Sequence, residues 1–404
     1  MSLPLDKITI LDLTRMLPGP YCSMILADLG ANVLRIEDPR YPYGNPPPFY
    51  QKGRYRESAF NSILMRNKKS ITLNLKKDKA REIIYELVKN SDVVLDTYRP
   101  KVMNKLKLDY DTLSSINPHI ICCSLTGYGQ TGPYEQVPGH DLNYISICGI
   151  LDLNKERKIF GKDNQKNKPI VPGVQSADIG GALVAAIGIL AAIIERENNP
   201  ERKGQYVDIS MTDCVLSFMP MAAAYFFSEK LNDGTKTENP LHGAMPYYTV
   251  YKTKDNKFLS IGAIELDFWT QLCEGLKRED LKLKQTVTGE EREKVFEEVQ
   301  KEFLKKTQAE WMEIFKNYDT CVMPVKNFAE VCEDPQIKAR NMIVDLKHPQ
   351  FGAIKNVASP IKLSRTPLKI RELAPIMGQH TKEVLRSLNY TDEDIKKLKK
   401  DGII

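Results

Sequence analysis

The sequence has few of the residues from which a metal centre or a disulfide framework is built. Its eight cysteines are scattered among 404 residues without one C-x-x-C pair, and there are only five histidines. Zinc domains and disulfide-rich domains show regular cysteine spacings, so we expect free thiols and no metal site. Free thiols are typical of a reducing compartment, which predicts a cytoplasmic protein and leaves a mitochondrion or peroxisome open.

Long apolar runs and nucleic-acid signatures are also missing. The longest apolar stretch, residues 179–194, has about 16 residues and contains three glycines, which is shorter than a bilayer span. The net charge of +6 is spread along the chain, and no zinc finger or aromatic-basic RNA motif occurs. The first residues lack the basic and apolar regions of a signal peptide. We therefore expect no membrane and no nucleic acid as partner.

The first half of the chain alternates between short apolar runs and amphipathic segments. This β–α alternation predicts an α/β fold with a large doubly wound, Rossmann-like, mostly parallel sheet. The first β–α–β unit has no G-x-G-x-x-G, which argues against a nicotinamide-dependent enzyme. Strands are predicted at residues 8–13, 31–37, 71–75, 92–95 and 120–125. Helices are predicted at residues 21–29, 78–90 (with Asp78 as N-cap) and 102–106, and a turn is predicted at residues 17–20.

The pattern changes after the middle of the chain, where a smaller α+β domain is predicted. A hairpin with strands at 247–251 and 258–261 and two helices at 290–306 and 308–317 indicate this domain. The predicted domains are a large one at 1–228, ending in a helix at 211–228, a linker at 229–243, the small domain at 244–335, and a return linker with two closing helices at 336–404. Segments 38–55 and 152–172 and the stretch after Asn341 are predicted to be irregular.

Three side chains stand where acid–base chemistry is expected. His140 is presented by a glycine-rich stretch, residues 127–144, that follows a predicted buried strand, and histidine moves protons near neutral pH. Asp178 lies at the start of an apolar helix, where free amides can hold an oxyanion, although a simple helix cap is the more ordinary role there. Glu265 follows the predicted strand at 258–261 by four residues, a place where a lone carboxylate is more typical of a solvated loop.

Short motifs along almost the whole chain resemble the class III CoA-transferase family, also called the CaiB/BaiF type, which includes the α-methylacyl-CoA racemases. The resemblance is closer to the racemase branch, because residues 139–144 read Gly-His-Asp-x-Asn-Tyr and residues 262–265 read Gly-Ala-Ile-Glu. The transferases usually have an aromatic residue in place of His140 and a tetraglycine loop that is not found here. Other motifs of the family are Pro18-Gly19-Pro20, Arg35-Ile36-Glu37, Asn67-Lys68-Lys69-Ser70, Leu73-Asn74-Leu75-Lys76, Arg99-Pro100, Ala177-Asp178, Lys203-Gly204-Gln205 and Gly378-Gln379-His380-Thr381.

The resemblance implies a racemase that epimerises the 2-methyl centre of an acyl-CoA thioester through an enolate. His140, with Glu265 as its partner, would act on one face of that carbon and Asp178 on the other. The amides beside Asp178 would stabilise the enolate oxygen. The alternative is a CoA-transferase in which Asp178 attacks the thioester as a covalent nucleophile. Neither reaction needs a metal or an organic cofactor, since coenzyme A enters as part of the substrate. A catalytically silent CoA-binding protein is a third reading.

The resemblance also implies CoA contacts and an interlocked homodimer, with Glu265 completing the site of the partner chain. Asp38 stands where the family commonly has a phosphate-binding arginine, and Arg40 is expected to replace it. Arg35, Lys68 and Lys69 are further candidates for phosphate contacts. The expected CoA-binding residues are Arg40, Leu73, Asn74, Leu75, Lys76, Thr97, Tyr98, Arg99, Lys105, Gly139, Asp141, Leu142, Asn143 and Tyr144.

Overall fold

The chain folds as two compact units, which are described separately. The computed structural model describes residues 2–41, 46–154, 168–231 and 239–404. The first unit comprises residues 1–148, 172–218 and 335–404. The second comprises residues 149–171 and 219–334.

The strands and helices are numbered in chain order. The strands are β1 Thr9–Asp12, β2 Asn32–Glu37, β3 Phe49–Lys52, β4 Tyr55–Ser58, β5 Lys68–Thr72, β6 Val93–Asp96, β7 Ile121–Thr126, β8 Tyr206–Ser210, β9 Tyr248–Lys252, β10 Phe258–Gly262, β11 Val322–Pro324, β12 Ile343–His348 and β13 Gly352–Val357. The α-helices are α1 Pro18–Asp28, α2 Ala59–Leu64, α3 Asp78–Val88, α4 Val102–Leu106, α5 Tyr110–Ile116, α6 Asp141–Ile147, α7 Ile150–Leu153, α8 Ser176–Asn198, α9 Met211–Ser217, α10 Pro220–Leu231, α11 Leu266–Leu276, α12 Gly289–Phe303, α13 Gln308–Phe315, α14 Phe328–Glu333, α15 Pro335–Ala339, α16 Thr381–Ser387 and α17 Asp392–Lys400.

A parallel six-stranded sheet forms the centre of the first unit. Its order is β5-β2-β1-β6-β7-β8, and all its pairings are parallel. The chain order therefore reverses between β1 and β6, the place where doubly wound sheets open a crevice at their carboxyl edge. Every residue of β6 and β7 is buried, as expected when helices cover both faces. The predicted α/β fold with a mostly parallel sheet is confirmed.

Two helical layers cover the opposite faces of this sheet. Alternate residues of a strand point to opposite faces. In β7, Cys122 packs in one core with Ile83 of α3, Leu113 of α5 and Leu385 of α16. Leu125, three residues further along, lies against Gly181 of α8, and α8 packs on α1. The site described below is on the α8 side, at the carboxyl ends of the strands.

The second unit is built on a small antiparallel sheet with the order β11-β10-β9. The predicted hairpin is confirmed, with each strand within one residue of its predicted ends. Helices α11, α12 and α13 enclose a core with it around Trp269, Phe303 and Trp311, whose rings are nearly inaccessible. Part of the predicted linker, residues 232–238, and most of the predicted excursion, residues 155–167, lie outside the described residues.

Two segments that were predicted to be irregular form antiparallel hairpins, and that prediction was wrong. Strands β3 and β4 pair across a tight turn at Gly53, whose positive φ suits glycine. Strands β12 and β13 pair in the same way, with Gly352 at a positive φ where the turn ends. The many Pro and Tyr residues around the first hairpin hid its short alternation, because strand patterns of four residues are weak signals.

Several predicted helix boundaries also need correction at prolines and caps. Residues 17–20 are not a separate turn, since Pro18 occupies the first position of α1, a place that tolerates a missing N–H. The predicted helix at 211–228 is two helices, because Pro220 cannot continue the hydrogen bonding of α9 and instead begins α10. Asp78 is the first residue of α3, and Lys77 occupies the N-cap position. Helices α5 and α6 were not predicted.

Helix α8 is longer than the apolar run predicted from the sequence. Among the described residues it is the one helix long and apolar enough to cross a membrane by length and composition. Half of that window is buried inside the protein, and a core helix passes the same test. This is weak evidence for a membrane span.

Candidate active site

A cavity of about 890 Å³ opens at the carboxyl edge of the central sheet, and all its walls come from the first unit. The residues after β1, β6 and β7 contribute to it, as the reversal of strand order requires. Two of the three predicted acid–base residues, His140 and Asp178, line this cavity together. Thr97, Tyr98, Arg99, Gly139 and Tyr144 line it as well.

Tyr144 holds the glycine-rich loop in shape. Its hydroxyl donates a hydrogen bond of 2.6 Å to the carbonyl of Gly139, and its ring lies edge-on to Tyr128. A Cβ at Gly127 would come within 2.4 Å of that ring, and one at Gly139 within 2.7 Å. The two glycines therefore leave room for the tyrosine, and the tyrosine fixes the chain that presents His140.

The same loop contains Gly127, Gly129 and Gly132, the spacing of a dinucleotide-binding fingerprint. That fingerprint binds a pyrophosphate only when a helix begins directly after the glycines. Here α6 begins at Asp141, nine residues after Gly132. The loop therefore does not place a helix N-terminus where a dinucleotide would need it.

His140 precedes α6, and Asp141 connects this helix to the start of α8. The amide of His140 donates to Asn143 Oδ1 at 3.0 Å, which fixes the entry into α6. Asp141 Oδ1 accepts hydrogen bonds from the amides of Ala177 at 2.6 Å and Asp178 at 3.1 Å. The histidine and the aspartate are thus held by two helix starts that are bonded to each other.

The expected oxyanion site beside Asp178 is not available. The amides of Ala177 and Asp178 donate to Asp141, and the Ile179 amide donates to the carbonyl of Gln175. The prediction that these amides stabilise an enolate was therefore wrong. Asp178 lies in the first turn of α8, and Gln175 occupies the cap position.

The environment of Asp178 keeps its proton near neutral pH. Burial, with the neighbouring Asp141 carboxylate as the second cause, raises the pKa of Asp178 from 3.8 to about 7. A carboxyl group with this pKa is present in both protonation states at neutral pH. It can therefore give a proton in one direction of a reaction and take one in the other.

The predicted CoA contacts fall into three groups. Thr97, Tyr98, Arg99, Gly139 and Tyr144 line the large cavity, while Arg40, Leu73, Leu75, Lys76 and again Tyr98 line a smaller one of about 300 Å³. Asn74 is buried against the carbonyls of Gly402 and Ile403. Asp141, Leu142, Asn143 and Lys105 line neither cavity.

Three of the cations expected near phosphates already have other partners. Lys68 is fully buried, and its Nζ donates to Ser23 at 2.7 Å and to the Pro20 carbonyl at 2.9 Å. Lys69 pairs with Glu383 at 2.7 Å. Arg40 is held by both oxygens of Asp38, at 2.9 and 2.8 Å. Lys68 is therefore inaccessible, and Arg40 is largely neutralised.

Arg15 was missed by the sequence predictions. It follows β1 and lines both cavities. The adjacent Pro18-Gly19-Pro20 motif marks this loop, but only the strand order brings it beside the loop after β6. Only the order of the strands in the sheet could therefore have identified Arg15 as a site residue, because the sequence around it contains no motif that includes it.

Glu265 lies in the second unit, directly before α11. Its charge raises the pKa of the nearby thiol of Cys321, although burial of that thiol is the larger cause. Within the described residues, no group of three or more His, Cys, Asp or Glu side chains has the arrangement of a metal site.

These features define an α/β protein with an acid–base cavity at the strand-order reversal of a parallel sheet. A family model described as CoA-transferase family III matches residues 5–381. The chain belongs to this family, whose members are enzymes acting on CoA thioesters.

Individual relatives divide between two reactions. The chain is 32% identical to human alpha-methylacyl-CoA racemase over 99% of its own length and 97% of that protein. It is 30% identical to human succinyl-CoA:glutarate CoA-transferase over 99% of its length and 90% of that protein. A crystal structure of a CAIB/BAIF family protein from Brucella suis matches with a TM-score of 0.78 and 27% identity, over 96% of this chain and 100% of that one.

Proposed function

We propose that the protein is a 2-methylacyl-CoA racemase. The observation that carries this proposal is that His140 and Asp178 line the same cavity, together with the near-neutral pKa of Asp178. Inverting a carbon centre needs one group that removes a proton and another that returns one, and both must function near the same pH. The similarity to alpha-methylacyl-CoA racemase supports the same reaction.

In this reaction the thioester carbonyl delocalises the charge left on the α-carbon as an enolate. His140 removes the α-proton from one face, with Glu265 of a second chain as its partner. Asp178, in its protonated form, returns a proton to the other face. The reverse direction uses ionised Asp178 as the base. No metal and no organic cofactor takes part, and the apolar wall of the cavity is suited to an acyl chain. This wall includes Met16, Leu17, Pro47, Phe60, Met65 and Val137.

The test is incubation of the purified protein with a single epimer of a 2-methylacyl-CoA in deuterated water, without an acceptor acid. We expect deuterium at the α-carbon, measured by NMR, and loss of optical purity, measured by chiral chromatography. Retention of both the α-proton and the optical purity would contradict the proposal.

A second candidate is a CoA-transferase, and the similar identity to succinyl-CoA:glutarate CoA-transferase favours it. In that reaction ionised Asp178 attacks the thioester carbon, releases CoA thiolate and forms a mixed anhydride. The thiolate then attacks the aspartyl carbonyl, which releases the first carboxylate and leaves an aspartyl-CoA thioester. Adding succinate or glutarate to the same incubation distinguishes the two candidates, because only a transferase forms the new CoA thioester.

We also propose that two chains form a homodimer. On α8, Leu183, Ile187 and Ile194 are 44, 65 and 61% exposed and lie along one side of the helix at spacings of four and seven. Leu216 and Phe218, in and just after α9, are exposed too. An apolar surface of this kind is typical of a protein–protein interface.

A further inference from the structure

The two cavities described above share lining residues at the reversal of strand order. Both are lined by Arg15, Arg35, Tyr41, Tyr98 and Val102. The larger cavity also contains His140 and Asp178, and the smaller one has apolar walls that include Leu73, Leu75 and Leu106. An elongated ligand that occupies both cavities must therefore pass the shared residues.

Arg15 is fixed at this junction by contacts on both sides of the reversal. Its amide donates to Thr97 Oγ1 at 3.0 Å, which connects the loop after β1 with the loop after β6. Its guanidinium lies 4.4 Å from the centre of the Tyr41 ring and 5.0 Å from that of Tyr98. Nη2 also donates to the Tyr98 hydroxyl at 3.3 Å. These contacts orient the guanidinium without neutralising it.

Of the three other arginines at these cavities, Arg99 lines only the larger one, and the remaining two have their charges offset. Arg40 forms a two-point contact with Asp38. Arg35 lies 3.2 Å from Glu37 and 3.8 Å from Asp12. Among the residues that the structure describes, no carboxylate forms an ion pair with Arg15. The pKa of the nearby Asp38 is lowered by its hydrogen bonds to Arg40 and, more weakly, by the charge of Arg15. Of the two arginines shared by both cavities, Arg15 is therefore the one without an ion pair in the described part of the chain.

We propose that Arg15 binds the diphosphate of the coenzyme A moiety, in place of Arg40. This inference rests on the proposed function, which makes a CoA thioester the ligand. In coenzyme A the diphosphate lies between the adenosine and the pantetheine arm, so a molecule with its thioester at Asp178 and its adenine in the smaller cavity brings the diphosphate to the junction. A guanidinium suits this group because its parallel N–H donors can contact two phosphate oxygens at once.

The test is calorimetric binding of CoA and of dephospho-CoA to the wild type, Arg15→Ala, Arg15→Lys and, as the competing candidate, Arg40→Ala. We expect Arg15→Ala to weaken both ligands by about tenfold to a hundredfold and by the same factor, as the loss of a charge-assisted contact predicts. Arg15→Lys keeps the charge but not the two-point geometry, so we expect an intermediate loss. Arg40→Ala should change either affinity less than about threefold, because Arg40 is already paired.

Three outcomes would overturn the inference. One is near-wild-type binding by both Arg15 variants, and another is a larger loss in Arg40→Ala than in Arg15→Ala. The third is a loss for CoA but not for dephospho-CoA, which would place the 3′-phosphate at Arg15. If the wild type binds neither ligand, the proposed function itself fails, and that result is distinct from the other three. Thermal melting shows that each variant is folded, and Arg15→Lys supports the conclusion if Arg15→Ala unfolds.

Discussion

At the scale of single residues, burial and then the nearby Asp141 carboxylate explain why Asp178 keeps a proton near neutral pH. Asp141 is bonded to two amides at the start of α8, and its charge opposes ionisation of Asp178. The sequence predicts Asp178 and His140 from their positions and motifs. It does not predict this use of Asp141, because the contact joins helices more than thirty residues apart along the chain.

Asp141→Asn should lower the pKa of Asp178, because the neutral amide no longer opposes the negative charge while its oxygen still accepts both hydrogen bonds. In the direction where Asp178 donates, kcat/KM falls as the pH rises through about 7. In the other direction it rises through the same pH, because Asp178 must then be ionised. Both midpoints should shift to lower pH in the variant, by up to about one unit, since burial remains.

The measurement is the pH profile of kcat/KM for each epimer, in the wild type and in Asp141→Asn. Midpoints that stay in place or move to higher pH would show that the Asp141 charge does not reach Asp178. Asp141→Ala is the control for the hydrogen bonds, since it removes the acceptor as well as the charge.

At the scale of elements, the sheet was predictable and the short helices near the site were not. Apolar runs such as residues 120–125 predict buried strands within one residue of the observed ends. The strand predicted at 71–75 is three residues late, because β5 begins with the polar residues Lys68, Lys69 and Ser70. Helix α6 begins in a stretch rich in glycine and proline and has only seven residues, so its local sequence favours a loop. Its stability comes from packing on α8 and α9, which no local pattern reveals.

The Lys203-Gly204-Gln205 motif has a structural explanation at this scale. A Cβ on Gly204 would lie 1.9 Å from the carbonyl oxygen of Ile120, where the chain enters β7. Since that neighbour is backbone, it cannot rotate away. Gly204→Ala should therefore destabilise the fold by roughly 3 kcal/mol or more, as other severe steric insertions do.

Urea unfolding of Gly204→Ala checks this expectation. Gly173→Ala is the matched control, because nothing lies within 4 Å of a Cβ there and its φ is not in the left-handed region. Equal unfolding midpoints for the two variants would contradict the close approach at Gly204.

At the scale of the whole molecule, the proposed dimer gives the exposed apolar side of α8 a function. The sequence shows that α8 is apolar. It does not show which of the apolar side chains are exposed, because that depends on which side of the helix packs on the sheet. Glu265 belongs to the second unit, and in the proposed dimer it contributes to the partner's site. Association and activity should therefore be lost together.

Ile187→Glu should convert the dimer to monomer and reduce racemisation at least about tenfold, because a charge would have to be buried at the interface. Light scattering after size exclusion gives the mass, and the same fractions give the activity. Leu283→Glu is the control, since it introduces the same charge at a leucine of the second unit that is 94% exposed. A fully active monomer, in either variant or the wild type, would contradict the proposed dimer.

In the proposed reaction, His140 and Asp178 act on opposite faces of one carbon. The most direct measurement is α-proton exchange in deuterated water, followed separately for each epimer in His140→Asn and Asp178→Asn. Each variant keeps one base, so each should exchange the proton of one epimer without inverting it, and the two variants should act on opposite epimers. If both variants exchange the same epimer, or if Asp178→Asn still racemises, the two-sided mechanism is wrong.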